Sequence, residues 1–324
     1  MDTRHFHDAC DASAAVRLGT STQFATASDE DNVLRVYDRS APGAPVSRLD
    51  VTAFLAPDHP GEAEADLEGA AQSGDRIYWI GSHGRSRTGK ERRTRQCLFA
   101  TTVQSRDGVF TLATVGLPYT HLLRDLAAAP ALRRFDLAAA AMRKPEETGG
   151  LNIEGLTAAP DGALLVGFRN PVPEGRALIV RLENPARLVD GHDLAAQVGL
   201  AAHLNLGGRG IRALEFVPAM GAYLIVAGAF DDARDFALYR WAGPSFEPAV
   251  ELAVPGLNQL SPEELLVVGD EHGDLLVDLL SDDGGSGAGS CKESPPAGRR
   301  FRATSRLIRP WALPQRPTPA GRRL

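Results

Sequence analysis

A chain of 324 residues with 43% hydrophobic and 23% charged side chains has the material for a sizeable core, which excludes wholesale disorder. Cys10, Cys97 and Cys291 lie far apart and form no C-x-x-C pair, a pattern that reads as reduced thiols rather than a disulfide framework or zinc knuckle. The formal net charge of −6 hides an asymmetry: Arg299 to Leu324 hold eight arginines and no acid, so the body carries −14 and the tail is basic.

Residues Met1 to Val16 contain no apolar run of signal-peptide length. No stretch is apolar for the length of a bilayer crossing. With the thiols, these features set the expectation of a cytoplasmic protein that does not engage a membrane. Gly 33 and Pro 22 are spread between short apolar runs, as tight turns between many strands require.

Along the chain a unit of roughly fifty residues recurs. Its first strand carries D-L-E-G-A-A from Asp66, N-I-E-G-L-T from Asn152, G-I-R-A-L-E from Gly210 and P-E-E-L-L-V from Pro262, with a weaker counterpart at Ala12. A second strand follows at Gln23, Arg76, Ala163, Ala222 and Asp274, each ending in polar or small residues. A third follows at Val33, Gln96, Ala177, Phe236 and Arg299. Their β-branched and aromatic content suits a pleated surface.

Five such units without crossover helices predict an all-β fold, a β-propeller of about five blades, with a β-sandwich as the competing architecture. Thr120 to Lys144 breaks the spacing with apolar residues at helical intervals, predicting an inserted helical segment. If that stretch formed a blade, the ring would have six. The expected organisation is one domain over residues 1–310 with the insertion at about 120–144. The Pro- and Arg-rich residues 311–324 read as a flexible tail.

In a propeller, the loop entering each innermost strand and the loop joining the second and third strands open on one face. That face collects Asp29, Glu30, Asp31, Asn32, Glu68, Ser82, His83, Arg85, Glu154, Arg169, Asn170, Arg209, Arg212, Asp231, Asp232, Glu263, Glu264, Ser281, Asp282 and Asp283. Loops on a rigid sheet are where β scaffolds carry function.

The segments S-D-E-D-N-V-L-R-V-Y-D, D-L-E-G, G-S-H-G-R with R-Q-C-L-F-A-T, N-I-E-G-L, G-F-R-N-P, G-G-R-G-I-R-A-L-E and S-D-D-G with a later C-K resemble the bacterial family called domain of unknown function 3616. The resemblance runs from about Ser28 to Arg302. It implies a propeller-like fold and brings no established activity. The segment E-G-L-T-A-A-P-D-G-A-L-L-V at Glu154 is similar to stretches of phytase-like and esterase-like propellers, a likeness that implies calcium-assisted attack on phosphate esters.

The acidic loops supply oxygen donors, so Asp29, Asp31, Glu68, Glu154 and Asp282 are candidate ligands for Ca²⁺ or Mg²⁺. The competing reading makes them turn residues bonding their own backbone. Glu68 and Glu154 hold one position in two repeats and form a candidate base and acid pair, or caps for exposed N–H groups. Arg169, Arg209 and Arg212 suit a carboxylate or phosphate, or internal ion pairs with the glutamates. Ser82 and His83 are adjacent on a strand and point to opposite faces, and no G-x-S-x-G elbow is present, which argues against serine catalysis. The loop from Arg85 to Arg95 has six basic residues but no interleaved aromatics, which disfavours nucleic acid.

Two functions remain open. One is a ligand-binding or interaction module whose partner is a small anionic molecule or a protein. The alternative is a divalent-cation-dependent hydrolase of phosphate or carboxylate esters, with Arg169 and Arg212 receiving the anion.

Overall fold

The computed structural model describes residues 2–55, 64–244, 248–271, 274–282, 291–295 and 298–309. Asp283 and residues 311–324 lie outside them. Among the described residues, twenty strands form five four-stranded antiparallel sheets arranged as a five-bladed propeller. Strand β1 is Thr3–His7. Blade one is β2 (Ala14–Arg17), β3 (Gln23–Ala27), β4 (Val33–Asp38) and β5 (Ser47–Asp50). Blade two is β6 (Leu67–Ser73), β7 (Arg76–Gly81), β8 (Leu98–Arg106) and β9 (Val109–Tyr119).

Blade three is β10 (Asn152–Ala158), β11 (Leu164–Asn170), β12 (Ala177–Leu182) and β13 (Val198–Leu204). Blade four is β14 (Gly210–Val217), β15 (Ala222–Gly228), β16 (Phe236–Trp241) and β17 (Val250–Leu252). Blade five takes β18 (Pro262–Glu271), β19 (Asp274–Ser281) and β20 (Arg300–Ile308), and completes itself with β1. Thr3 to His7 pair with Thr304 to Arg300, so the N-terminal strand closes the ring.

The closure is packed and cross-linked. Phe6, Phe24, Tyr37 and Phe301 are buried together, Phe6 lying within 5.3 Å, centroid to centroid, of the other three rings. The Tyr37 hydroxyl donates to the His7 carbonyl at 2.6 Å. Cys10 is disulfide-bonded to Cys291, and only Cys97 is free, buried beneath blade two. The sequence reading of three reduced thiols is therefore corrected. Cys10 follows β1 and Cys291 precedes β20, so pairing these two strands brings residues 281 apart in sequence to a Cα separation of 5.7 Å.

Residues 120–144 contain a helix at Leu122–Ala128, a 3-10 helix at Pro130–Phe135 and a short helix at Leu137–Ala140. Pro130 cannot donate the hydrogen bond that would continue the first helix, which fixes the break. Leu122, Leu126, Leu132, Phe135 and Leu137 are buried in one cluster with Tyr119 of blade two and Leu178 and Val180 of blade three. No sixth sheet forms among the described residues.

Innermost strands leave one edge unpaired, and buried backbone N–H groups need acceptors. Side chains from neighbouring blades supply them. Phe216 N–H donates to Thr157 Oγ1 at 3.0 Å, Val267 N–H to Glu215 Oε2 at 3.0 Å, and Ala15 N–H to Glu264 Oε2 at 3.4 Å. Arg17 reaches back to the Val267 carbonyl at 3.0 Å. Glu215 and Glu264 are thus stitches of the ring, and burial pushes the Glu215 carboxyl up to about 8.

Candidate functional site

Four innermost strands carry the same irregularity at their start. The register with the second strand skips between Leu67 and Gly69, Ile153 and Gly155, Ile211 and Ala213, and Pro262 and Glu264. The skipped residues are Glu68, Glu154, Arg212 and Glu263. A β-bulge leaves its extra residue out of the ladder and re-aims its side chain, and all four line one cavity at the channel mouth. In blade one the equivalent residue is Ser13, which donates to Asp11 at 3.0 Å and to Glu263 at 3.2 Å. Gly69 and Gly155 follow their glutamates because a Cβ there would stand 2.8 Å from Leu156 Cβ and 2.7 Å from Ile211 Cγ2 of the next blade. The recurrent E-G pair is a bulge followed by a close approach between blades.

The cavity measures about 730 Å³, and of its twenty lining residues eleven are acidic and five are arginines. These charges are distributed unevenly. Glu154 is well compensated: Arg169 donates to it at 2.8 Å, Arg212 stands at 3.4 Å and the Asn152 amide donates at 2.8 Å. Arg212 also faces Glu263 at 3.6 Å. On the other side Arg95 binds Glu64 at 2.6 Å and Asp66 at 2.7 Å.

Asp29 sits where the carboxylates crowd most closely. Its carboxylate belongs to two overlapping groups, one with Asp11 and Glu30 and one with Asp66 and Glu68, and within each group the oxygens lie within 4.8 Å of one another. At that distance two carboxylates repel by about 3.5 kcal/mol in a partly shielded site. Burial and these neighbouring charges act in the same direction on the carboxyls. Burial, reinforced by Glu154, Asp66 and Asp29, lifts Glu68 well above its ordinary range. Burial also lifts Asp11, with help from Asp29 and Glu263, and lifts Glu263, with help from Asp282 and Asp29. Asp66 rises to about 7 because burial outweighs Arg95.

Of the residues expected on this face, Asp29, Glu30, Glu68, Glu154, Arg169, Arg212, Asp232, Glu263 and Asp282 line the cavity. Asp31 does not. Both of its oxygens are taken by Arg35, at 2.7 and 2.9 Å, so it is not placed to join Asp29 in holding a cation. Asn32 accepts the Ala65 N–H at 2.8 Å and joins blades one and two. Arg209 binds Asp235 at 2.6 Å outside the cavity. Asn170 precedes a cis proline and holds the Pro145 and Glu147 carbonyls, each at 2.7 Å. His83 and Arg85 line a separate cleft.

Asp11, Asp66 and Asn152 were not among the candidates, though a signal for them exists. Aligning D-A-S-A at Asp11 with D-L-E-G at Asp66 and N-I-E-G at Asn152 places these three at one repeat position, two residues before the bulge position. Asn152 Oδ1 is buried without a hydrogen-bond partner.

A family model described as "Protein of unknown function (DUF3616)" matches residues 11–103 and 118–272. The chain belongs to this family. The gap between the two matched stretches, residues 104–117, covers the end of β8, the turn after it and most of β9. No curated protein matches the DUF3616 chain. Among solved structures it is similar to Myxococcus xanthus glutaminyl cyclase, at 13% identity over 94% of each chain with a TM-score of 0.43. It is also similar to XC5397 from Xanthomonas campestris, described as a gluconolactonase, at 13% identity over 93% of this chain and 79% of that one, with a TM-score of 0.41. A third likeness is to the extracellular domain of a hybrid two-component system protein, BT4673, from B. thetaiotaomicron, at 15% identity with a TM-score of 0.35. There the chain covers 24% of the other protein's length.

The raised carboxyls give a pH dependence with a definite sign. An acid whose pKa rises on folding holds a proton in the folded state that the unfolded chain has already lost, so stability falls as pH rises toward the folded value. With chelator present, stability is expected to fall from about pH 5 to pH 8 and then level off, as pH climbs toward the folded values of Asp66, about 7, and Glu215, about 8. The slope has an upper limit of about 1.4 kcal/mol per pH unit for each group. Urea midpoints at three pH values measure it, and Glu215→Gln should flatten the upper half of the decline. A midpoint that is constant or rising over this range would contradict the assignment.

Proposed function

We propose that the protein is a ligand-binding propeller whose channel mouth holds a divalent cation, Ca²⁺ or Mg²⁺, on Asp29, Asp66 and Glu68, with Asp11 and Glu30 in reach. The observation that carries this reading is the pair of overlapping three-carboxylate groups sharing Asp29. Hard cations take oxygen ligands in such sets. A bound cation would offset the burial and the neighbouring carboxylates that lift Glu68 and Asp66, and the unpartnered Asn152 Oδ1 on the same cavity wall is a further neutral oxygen donor.

The cavity is far larger than an ion, and Arg87, Arg92 and Arg95 line it together with the carboxylates. This supports a small anionic molecule bridging the cation and the basic wall. The same arrangement suits a cation-dependent hydrolase of phosphate or carboxylate esters, in which the metal and arginines stabilise developing negative charge. Arg169 and Arg212 are engaged by Glu154 and Glu263, Arg95 by Glu64 and Asp66, and Arg87 by Glu146, so in this reading the anion-receiving role falls to Arg92 on the same wall. The cytoplasmic expectation rested on reduced thiols, and the Cys10 to Cys291 bond removes that support.

Chelation is expected to lower the melting temperature, and Ca²⁺ or Mg²⁺ to restore it. A ligand at a hundredfold excess over its dissociation constant adds about 2.7 kcal/mol. Asp29→Asn should abolish the response, because Asp29 is common to both groups. If the wild-type melting temperature ignores chelator and both metals, the cation reading fails. Cation-dependent turnover of p-nitrophenyl phosphate or p-nitrophenyl acetate, lost in Asp29→Asn, would favour the hydrolase over the binding module.

A further inference from the structure

The channel has a second opening, at the other end of the innermost strands. Arg17, Gln72, Ala158, Val217 and Gly269 stand at or near the ends of these strands, far from the bulges, and help to line a cavity of about 570 Å³. Its volume lies within the range of small-molecule sites. It shares no lining residue with the cavity at the channel mouth. That mouth is walled by charge, whereas this end is walled mostly by apolar side chains, among them Val16, Leu156, Phe216, Val217, Leu265 and Leu275.

Most polar groups of this wall serve the ring itself. Glu264 accepts on both oxygens, from the Leu265 N–H at 2.9 Å and the Ala15 N–H at 3.4 Å. Thr157 accepts the Phe216 N–H, and Arg17 donates to the Val267 and Ser21 carbonyls. Gln72 is exposed, with its amide on the Gly74 carbonyl. Glu215 differs. Its Oε2 accepts the Val267 N–H, but among the described residues Oε1 has no hydrogen-bond partner, and it is not sealed in, because the side chain is only part-buried and lines the cavity. A seam between blades needs one oxygen, as Thr157 shows, so the second oxygen of Glu215 is surplus to closing the ring. Burial outweighs the attraction of Arg17 and lifts this carboxyl to about 8. At neutral pH it is an uncharged acid, and since Oε2 faces an N–H, the proton sits on Oε1. The cavity thus presents one open O–H donor in an apolar wall.

We infer that this end of the channel binds an uncharged molecule with an apolar body and a carbonyl group, the carbonyl accepting from Glu215 Oε1 while the body packs on the apolar wall. An anion finds no open partner, because Arg17 is held by two backbone carbonyls. The inference does not depend on a cation at the channel mouth.

2-Acetylnaphthalene and 2-ethylnaphthalene are matched probes that differ in the carbonyl oxygen. Equilibrium dialysis against the full chain measures both at pH 6.5 and pH 9, with circular dichroism checking the fold at each pH. The ketone needs the protonated acid, so its affinity should fall about tenfold over this range for a group at about 8. The hydrocarbon's affinity should not change. Arg17 on β2 and Glu264 on β18 are the ionisable groups that line the cavity with Glu215. Glu215→Gln separates their titration from its own: the amide keeps an oxygen for the Val267 N–H and an N–H for the ketone, so binding at pH 6.5 should persist and the pH response should vanish. No binding of the ketone at pH 6.5, the same pH response for both probes, or a response that survives in Glu215→Gln would each overturn the assignment. The wild-type comparison stands even if the variant does not fold.

Discussion

Replacing Phe6 by alanine is expected to destabilise the protein by about 3–5 kcal/mol, the range for removing a fully buried aromatic side chain. Phe6 is 1% exposed and belongs to β1, the one strand that must return from the far end of the chain to complete a blade. Its ring packs edge-on against Phe24 and Tyr37 of blade one and stacks on Phe301 of blade five. Truncation therefore leaves a cavity at the seam of the ring and loosens the strand that holds it. Chemical denaturation measures the loss. Val109→Ala at a 38% exposed position is the control and should fall within about 0.5 kcal/mol of wild type. A Phe6→Ala cost no larger than the control's would mean that β1 does not close the ring.

Cys10→Ser is expected to cost about 2–4 kcal/mol under oxidising conditions. The bond joins residues 281 apart, so it removes conformations from nearly the whole unfolded chain. Reductant should lower wild-type stability by a similar amount and leave Cys10→Ser unaffected. Thiol titration of the unfolded wild type without reductant should find one free thiol, that of Cys97. Three free thiols, or an equal response of both proteins to reductant, would defeat the pairing. Cys10 adjoins Asp11, which faces the cavity, so the same variant shows whether the cation response needs the tether.

Much of the architecture is local and therefore readable. Alternating apolar positions and turn residues mark four innermost strands and a weaker fifth, E-G recurs in two of them, and the helical spacing at Thr120 to Lys144 marks the segment that is not a blade. The placement of Glu68, Glu154 and Arg212 at one repeat position is likewise visible in the motifs, because each repeat enters its innermost strand through the same bulge. Asp29, Asp31 and Asn32 show where reading stops. They are neighbours in one polar turn, yet Asp31 turns to Arg35, Asn32 to the backbone of the next blade and Asp29 into the channel.

The sequence by itself determined three strands of each unit, the recurrence of about five units and the face on which the polar loops gather, because hydrophobic period and turn chemistry act over a few residues; the fourth strand of each blade came only with the structure. Only the tertiary structure decided that Thr3–His7 finishes the last blade, that Cys10 meets Cys291, and which carboxylates find an arginine and which find one another. Those outcomes depend on closing a ring across nearly 300 residues. No local pattern encodes which two ends of such a ring will touch, so the gathering of carboxylates around Asp29 becomes visible only once the blades are in place.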